Sequence, residues 1–310
     1  MILITDNIEF AQSCMPVCEN WQEQKISELT SSVAVLAAEL FDTDTVLVND
    51  HLHSDHWNYL FAVDQAGQSH YDTLARLAVS DTPPPDKTLC CAAMGKHFHG
   101  FKNRSWQAIR GNIHLSAFIN PGQEVDGDAA GFIVAAAIAA LQTVKSFDIN
   151  SREVSIKWVN DILIDNRKVG GVLARLQKLG RTTESAVLGI GLNVSQTPSV
   201  KRDAHVPGVA AISDFVEGDE SCQHLDAFPR LIEYLGLNLD QLLKGKYYSL
   251  LDLYRQHSIA LGRDVSIFRD TRESSSQLLA KGRAEAIGNS LELFLEGKHD
   301  PVTSGRLKLD

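Results

Sequence analysis

Cysteine is scarce in this sequence, and the few cysteines present form no repeated pair. The 310-residue chain has five of them, an odd number without a repeated C-x-x-C spacing, which argues against a disulfide framework. Cys90 and Cys91 lie inside an apolar run, so we expect reduced and mostly buried thiols. Cys14 and Cys18 form a C-x-x-x-C arrangement, to which we attach no chemical mechanism.

Basic charge and long apolar runs are also lacking. The formal net charge of −10 argues against a surface built for indiscriminate binding of nucleic acid or anionic membranes. The N-terminal stretch "MILITDNIEFAQ" has neither a basic region nor a long apolar core, so no signal peptide is evident. No apolar run reaches the roughly 18 residues that a membrane-spanning helix needs. We therefore expect a cytoplasmic protein without nucleic-acid or membrane partners.

The pattern along the chain divides it into three parts. Residues 1–45 look like a leading segment of unknown role, and residues 46–258 mix strands with helices, the part from 206 onwards being mostly helical. Residues 259–310 hold short β segments that suggest a small barrel-like domain. The strongest helix signal is "DAAGFIVAAAIAALQTVKSF", which is apolar nearly all round and hence buried. In "DILIDNRKVGGVLARLQ", Asp165 and Asn166 tolerate positive φ and predict a hairpin turn.

A cluster of histidines follows the strand "VLVN". His51, His53, Asp55 and His56 have the spacing H-x-H-x-D-H, which is the zinc-binding signature of metallo-β-lactamase-like hydrolases. That fold needs further histidine and aspartate ligands downstream, and the later histidines of this chain lack such settings. A catalytic zinc site needs its whole set of protein ligands. We therefore interpret His51, His53 and His56 as solvent-facing loop residues and predict no metal site there.

Three segments rich in glycine and asparagine carry the candidate chemistry. In order, they are "RSWQAIRGNIHLS", "KWVNDILIDNRKVGGVL" and "GIGLNV". Their glycines let the backbone approach a flat or phosphorylated ligand without a Cβ in the way. Lys157 has apolar neighbours on its strand, so its ammonium needs an anionic partner if it points inward. Asn160, Asp161 and Asn193 offer amide and carboxylate groups able to fix an adenine edge or Mg²⁺.

The residues and the order of these segments resemble the motifs of biotin–protein ligases and of the wider biotin/lipoate ligase superfamily. That family has "KWPND", "K-x-G/A-G-I/V-L" and "G-I-G-I-N", where this chain has "KWVND", "KVGGVL" and "GIGLN". The resemblance extends from about residue 64 to the C-terminus. It implies an α+β fold, with a class-II-synthetase-like catalytic core and a C-terminal small SH3-like β-barrel that begins near "GRDVSI" and ends at "SGRLKL".

The resemblance also implies an activity: adenylation of a small acid, biotin by default, and transfer of its acyl group to a lysine of a biotin carboxyl carrier-like acceptor. ATP, Mg²⁺ and biotin are the implied cofactors and substrate, and a homodimer is possible. Lys157 would bridge the carboxylate and the α-phosphate as the catalytic cation. The implied adenylate-binding and ATP-binding residues are Arg104, Trp106, Asn112, Asn160, Asp161 and Asn193. The implied acid-binding residues are Ser69, Gly95, Lys96, Gly111, His114, Ser116, Gly170, Gly171, Gly189 and Gly191.

The chain departs from the family in the loop that closes over the adenylate. The family pattern "GRGRxGRxW" corresponds here to "GKHFHGFKNRSW". Gly100, Arg104 and Trp106 match, whereas Phe101 takes the place of an arginine and Asn103 that of a glycine. Nearby lysines keep part of the charge, but lysine lacks the bidentate fork of arginine. The histidines of this loop are expected to be solvated.

Recognition of the acid departs from the family too. The family's Ser-Thr-Asn motif, which holds the ureido ring of biotin, appears here as "SHY" with only Ser69 kept, and "CCAAM" replaces a glutamine and an alanine. Two alternatives therefore stay open. The protein is a relative that binds a ligand without ligase activity, or it is a lipoate/acyl–protein ligase. The second ranks below biotin, because the "RRxxGGG"-like segment of lipoate ligases is missing.

Overall fold

The structure is a computed structural model that describes residues 1–16, 20–149, 151–200, 208–216, 224–269 and 277–310. Its strands are β1 (Ile2–Thr5), β2 (Gln22–Lys25), β3 (Thr45–Asn49), β4 (Tyr59–Ala66), β5 (Thr88–Gly95), β6 (Ile113–Ile119), β7 (Val154–Lys157), β8 (Asp161–Ile164), β9 (Arg167–Leu179), β10 (Thr182–Leu192), β11 (Asp264–Phe268), β12 (Leu278–Ile287), β13 (Leu293–Leu295) and β14 (Arg306–Leu309). Its helices are α1 (Ile8–Cys14), α2 (Ser31–Leu40), α3 (His70–Leu77), α4 (Asp128–Lys145), α5 (His224–Leu243) and α6 (Tyr247–Gln256).

The strands form two sheets. Ten of them build a mixed sheet in the order β2-β3-β1-β4-β5-β6-β10-β9-β8-β7. Pairing is parallel between β1 and β4 and between β4 and β5, and antiparallel elsewhere in this sheet. The other sheet is antiparallel, with the order β13-β12-β11-β14. The α+β expectation is confirmed, and so is the small β domain at the C-terminal end.

The large sheet separates two hydrophobic cores. Alternate side chains of a strand point to opposite faces, so neighbouring residues of β4 enter different cores. Leu60 and Ala62 pack with residues of α4 and α5, whereas Phe61 and Val63 pack with residues of α2 and α3. Burying a side chain such as leucine or phenylalanine contributes roughly 1.5–3 kcal/mol. Both faces of the sheet therefore stabilise the fold.

Helix α4 fills the space between the sheet and α5. It contacts β9 and β10 on one side and α5 and α6 on the other. Its 18 residues are long and apolar enough to cross a membrane by length and composition alone, but 72% of the helix is buried within the protein. The expectation of a buried, all-round apolar helix is confirmed.

The hairpin between β8 and β9 turns where the sequence predicts it. Asp165 and Asn166 have φ angles of 46° and 62°, in the left-handed region that asparagine and aspartate tolerate better than most residues. The strands on either side pair antiparallel. This turn fixes the position of "KVGGVL" beside the end of β7.

Residues 1–45 contribute β1 and β2 to the large sheet. Strand β1 lies between β3 and β4, where Leu3 pairs with Asn49 on one side and Leu60 on the other. We expected a leading segment distinct from the mixed domain. The structure places this segment within the sheet instead, because β1 supplies the hydrogen bonds that two neighbouring strands need. The division of the chain into three parts by role stays a prediction.

The C-terminal sheet is fixed against the end of β7. The indole N–H of Trp158 donates to the carbonyl of Leu291, between β12 and β13, at 2.7 Å. The Ile156 amide donates at 2.8 Å to the carbonyl of His257, which follows α6 and precedes the small sheet. Helices α5 and α6 account for the helical prediction from residue 206 onwards, of which residues 206–207 and 217–223 lie outside the described residues. The contacts of Trp158 hold the small sheet next to the segment that contains Lys157.

The position of β1 leads to a stability prediction. Leu3 is fully buried, so Leu3→Ala should lower the free energy of unfolding by about 2–5 kcal/mol. Leu179, at the exposed end of β9, is 72% exposed and gives the matched control, for which Leu179→Ala should change stability by less than about 0.5 kcal/mol. Urea unfolding followed by circular dichroism measures both. Equal effects would contradict the integral role of residues 1–45.

Candidate ligand-binding site

A cavity of about 390 Å³ lies where β6, β9 and β10 meet the turn between β7 and β8. A loop of residues 98–107 forms another wall, and residues 305–307 of the C-terminal domain complete it. This volume falls in the range of small-molecule sites, roughly 300–1,000 Å³. The three segments singled out in the sequence all contribute wall residues, so the fold brings them together.

Most of the predicted site residues lie in the cavity wall. They are Ser69, Arg104, Trp106, His114, Ser116, Lys157, Asn160, Asp161, Gly171, Gly189, Gly191 and Asn193. Five predicted residues do not line it: Gly95, Lys96, Gly111, Asn112 and Gly170.

Asn112 braces the backbone instead of facing the cavity. Its side-chain oxygen accepts hydrogen bonds from the amides of Val194 and Gln196 at 2.9 and 3.1 Å, and its amide nitrogen donates to the Gln196 carbonyl. These bonds hold the chain that follows Asn193. Asn112 therefore supports a wall of the cavity from behind, and the adenylate contact implied for it stays a prediction.

Of the other four residues outside the wall, the three glycines serve close packing or an unusual backbone conformation. A Cβ on Gly170 would come within 2.4 Å of the Leu192 side chain, and one on Gly95 within 2.4 Å of the Phe98 ring. Gly111 has a φ of 89°, which a side chain would strain. Lys96 is exposed. Packing and backbone conformation account for the three glycines, and the contact with the acid implied for all four residues stays a prediction.

Lys157 ends β7 with its side chain buried in the cavity wall. It is only 7% exposed, and burial lowers the pKa of its ammonium, while the negative charge of Asp161 acts in the opposite direction. Among the described residues, none forms a hydrogen bond or ion pair with this ammonium, and the carboxylate of Asp161 is paired with Lys168 instead. Because burying an unpaired charge is expensive, a cation held in this way is a strong site for an anionic ligand.

Asp161 and Lys168 form an ion pair beside Lys157. The Lys168 Nζ atom lies 2.6 Å from Asp161 Oδ1 and 5.8 Å from the centre of the Trp106 ring. Burial raises the pKa of the Asp161 carboxyl, but the ammonium groups of Lys168 and Lys157 outweigh it and hold that pKa below its usual value. The carboxylate stays charged, and Lys168 is a cavity residue that the site prediction missed.

Positive charge exceeds negative charge in the described wall. Lys157, Lys168, Arg104 and Arg306 are its lysines and arginines, and Asp161 is its carboxylate. A concave, partly desolvated surface that carries charge of one sign raises the local concentration of ligands with the opposite charge. The cavity thus suits a ligand with several negative charges.

The Trp106 indole closes one side of the cavity against β6 and β10. Its N–H donates to His114 Nδ1 at 3.1 Å, and His114 Nε2 lies 2.9 Å from the Ile109 carbonyl, which fixes the tautomer of this histidine. Burial lowers the pKa of His114 to about 4, so the ring is neutral. A Cβ on Gly191 would come within 2.4 Å of the indole, so this position requires glycine.

Two asparagine side chains of the cavity wall donate to backbone carbonyls. The Asn160 amide nitrogen donates to the Val172 carbonyl at 2.7 Å, and that of Asn193 donates to the Ala210 carbonyl at 3.0 Å. The Asn193 side-chain oxygen is buried, and it has no hydrogen-bond partner in the described part of the protein. Such an acceptor in a cavity wall suits a ligand N–H group.

The divergent loop contributes residues that were not among the predicted site residues. Phe98, His99 and Phe101 line the cavity, and Arg104 is held by a hydrogen bond from its Nε to the Phe101 carbonyl at 3.0 Å. His99, which we expected to be solvated, is partly exposed, and its Nε2 lies 2.9 Å from an Asp72 carboxylate oxygen.

The histidines after β3 interact with separate carboxylates. His51 lies 3.5 Å from Asp50, and His53, which is 89% exposed, lies 3.1 Å from Asp55. The His56 ring is buried against α5, with its two nitrogens near Glu233 and Asp240. The expectation of a solvent-facing residue is wrong for His56. The structure does not direct these rings at one centre.

Comparison with known proteins gives the same family as the motifs. The family model for the biotin/lipoate A/B protein ligase family matches residues 79–193. The chain is 30% identical over 116 residues to the bifunctional ligase/repressor BirA of Bacillus subtilis, which covers 37% of this chain and 35% of that protein. It is 32% identical over 145 residues to the biotin–[acetyl-CoA-carboxylase] ligase of Mycobacterium tuberculosis, covering 46% of this chain and 52% of that protein. The chain thus spans between a third and about half of these relatives.

Solved structures extend the likeness over more of the chain. A biotin protein ligase from Aquifex aeolicus in complex with biotin and ATP superposes with a TM-score of 0.61 at 16% identity, covering 81% of this chain and 98% of that one. A biotin acetyl coenzyme A carboxylase synthetase from Helicobacter pylori gives 0.51 at 18% identity, covering 77% and 97%. At these identities the likeness shows the fold. The expected ligase-like fold is confirmed, and the resemblance to this superfamily is confirmed over residues 79–193.

The buried His70 beside the site leads to a prediction about pH. Neither ring nitrogen of His70 has a hydrogen-bond partner among the described residues, and burial, with a smaller effect of His114, lowers its pKa to about 3. The unfolded chain binds a proton near pH 6.5 and the folded chain does not, so stability is lost as the pH falls from 6.5 towards 3. One such group contributes at most about 1.4 kcal/mol per pH unit.

His70→Leu should therefore reduce the loss of unfolding free energy between pH 7 and pH 5 by roughly 2 kcal/mol. His53→Leu, at an exposed position, is the control and should leave the pH dependence unchanged. Urea unfolding at the two pH values measures the difference. An unaltered pH dependence in His70→Leu would show that His70 is not held neutral by the fold.

Proposed function

We propose, from the premise that residues 79–193 carry a domain of the biotin/lipoate A/B protein ligase family, that this protein is an ATP-dependent ligase for a small carboxylic acid. The observation that carries the proposal is the buried ammonium of Lys157 in the cavity wall. Such a group is stable when an anion shares its site. A carboxylic acid and the phosphates of ATP are both anions, and the excess of lysine and arginine suits the two together.

The proposed reaction has two steps. A carboxylate oxygen of the acid attacks the α-phosphorus of ATP, the bond from that phosphorus to the bridging oxygen breaks, and pyrophosphate leaves. The ε-amine of an acceptor lysine then attacks the acyl carbon, AMP leaves, and an amide bond forms. Both steps gain most from positioning and from neutralising charge.

Lys157 is proposed to bridge the carboxylate and the α-phosphate. Its protonated amine would offset negative charge as the oxygen approaches the phosphorus. Its position at the end of β7, next to the Asp161–Lys168 ion pair, keeps the side chain in one place. Removing a contact of this kind raises a barrier by about 2.7–4 kcal/mol, judged by oxyanion donors in other enzymes.

Mg²⁺ would enter with ATP. Mg²⁺ binds oxygen ligands and is commonly held by one or two carboxylates together with substrate phosphates. Asp161 is the carboxylate of the described wall, one oxygen of which accepts from Lys168, and the neighbouring Asn160 adds amide oxygen. These residues fit a metal ion that is bound chiefly through the nucleotide.

The acid is proposed to lie at the end of the cavity formed by Ser69, Tyr71, His114 and Ser116. Biotin is the first acid to test, because the Aquifex aeolicus structure contains it and the Mycobacterium tuberculosis relative is named for it. The same relative's name supports a carboxylase carrier domain as the acceptor.

Exchange of labelled pyrophosphate into ATP tests this function. The full chain with Mg²⁺-ATP and biotin should catalyse the exchange, and Lys157→Ala should lower its rate about 100- to 1,000-fold. Lys298→Ala, at an exposed position of the C-terminal domain, should have no effect. Lipoate and octanoate replace biotin in parallel reactions. Absence of exchange with all three acids would contradict the ligase function.

Ligand binding without turnover is a second candidate. Phe101 lines the cavity at the place where the resemblance implies an arginine, so one phosphate contact is missing. Isothermal titration calorimetry with biotin, in the presence and absence of ATP, separates the two candidates. Heat of binding without any pyrophosphate exchange would favour the binding protein, whereas binding together with exchange supports the ligase.

A further inference from the structure

A cluster of sulfur and nitrogen atoms lies away from the cavity. Cys14 ends α1, Cys91 lies on β5 and His224 begins α5. One ligand atom from each residue, namely the two sulfurs and an imidazole nitrogen, lies within 4.8 Å of the other two. All three residues are buried, and none of them lines the cavity. Three distant parts of the chain thus place metal-ligating atoms together.

The hydrogen bonding of His224 leaves its Nε2 atom, which faces Cys91, available to bind a metal ion. Its Nδ1 lies 3.0 Å from the Ser13 carbonyl, and a carbonyl oxygen only accepts, so Nδ1 carries the hydrogen. In the neutral ring, Nε2 then has the lone pair, and it lies 3.9 Å from Cys91 Sγ. Histidines that bind metals almost always donate their other N–H to a carbonyl or carboxylate in this way. The Ser13 carbonyl thus fixes the tautomer of the ring in which Nε2 can bind a metal ion.

The neighbouring rings fix the orientation of this imidazole. It stacks on Phe228 with 5.4 Å between ring centres and is tilted against Phe10 at 5.6 Å. The two thiols are free rather than joined in a disulfide. Cys90, the neighbour of Cys91 on the same strand, is equally buried but faces the other core. The cluster therefore has one defined set of donors on one face of the sheet.

Both distance and charge fit a divalent ion. With bonds of about 2.3 Å to sulfur and about 2.0 Å to nitrogen, two zinc ligands lie roughly 3.6–3.8 Å apart. The spacing from Cys91 Sγ to His224 Nε2 is 3.9 Å, close to that range. Two thiolates and one neutral imidazole carry a charge that a 2+ ion cancels. A neutral complex suits an apolar core, where net charge is expensive.

We propose that Cys14, Cys91 and His224 bind a Zn²⁺ ion. The ion would join α1, at the N-terminal end of the chain, to α5 and to β5, the strand that leads into the loop over the cavity. The three protein donors would leave the fourth tetrahedral position to a water molecule, and the ion lies outside the cavity wall. Thiolate and imidazole are ligands for both Zn²⁺ and Cu(I), and charge balance favours Zn²⁺ over the monovalent ion.

Metal analysis of the full chain tests the proposal. Protein produced in zinc-supplemented medium and purified under reducing conditions without chelator should contain about one zinc ion per chain. Protein produced with Co²⁺ should show the intense near-ultraviolet absorption of cobalt–thiolate bonds. Cys14→Ser and Cys91→Ser should each weaken zinc binding by at least about tenfold and remove this absorption. Cys90→Ser is the matched control and should keep both.

Circular dichroism establishes that each variant is folded before its metal is measured. The wild-type protein tests the proposal even if a variant fails to fold, because a bound ion should slow the reaction of two thiols with Ellman's reagent until a chelator is added. Wild-type protein without stoichiometric zinc would overturn the proposal, as would zinc retained equally in Cys91→Ser. Copper in place of zinc would overturn the choice of ion. These results do not depend on pyrophosphate exchange and so test the metal site separately from the ligase function.

Discussion

The buried ammonium of Lys157 is the interaction around which the candidate site is organised. Taking this charge out of water is unfavourable, and burial lowers its pKa accordingly. Asp161 offsets part of that penalty but already forms a 2.6 Å ion pair with Lys168. An anion in the cavity would supply the missing partner. The fold therefore maintains, at some loss of stability, a cation that a ligand can neutralise.

Several parts of the fold hold that cation in place. The turn at Asp165–Asn166 brings β9 back beside β7 and β8, and Trp158 anchors the following residues to the C-terminal sheet through the Leu291 carbonyl. Asn112 holds the chain after β10 from the opposite side. The contacts of Trp158 and Asn112 are hydrogen bonds to backbone groups in the interior. There, a polar group left without a partner lowers the stability of the fold by more than one hydrogen bond raises it. These contacts give the cavity walls fixed positions before any ligand binds.

The sequence predicted what local patterns determine. The buried helix α4, the turn at Asp165–Asn166 and the convergence of Lys157 with the GIGLN strand all follow from short motifs. Arg306 could not be found in this way, because it reaches the cavity through the pairing of β14 with β11, far along the chain from the three motifs. The same limit applies to Cys14 and Cys91, which are brought together only by the packing of α1 on the sheet. Gly95 and Gly170 show a related limit, since glycines in a motif serve packing as readily as ligand contact.

Affinity for an adenylate as a function of pH tests the central claim most directly. A non-reactive acyl-sulfamoyl adenosine can be titrated calorimetrically into the wild-type protein and into Lys157→Ala. Because the pKa of Lys157 is lowered, the wild-type affinity should begin to fall at a pH below the ordinary lysine value of 10.5, as the ammonium loses its proton. Lys157→Ala should bind more weakly and lack this alkaline decline. Equal affinity and equal pH dependence in the two proteins would contradict a charged Lys157 that meets an anionic ligand in the cavity.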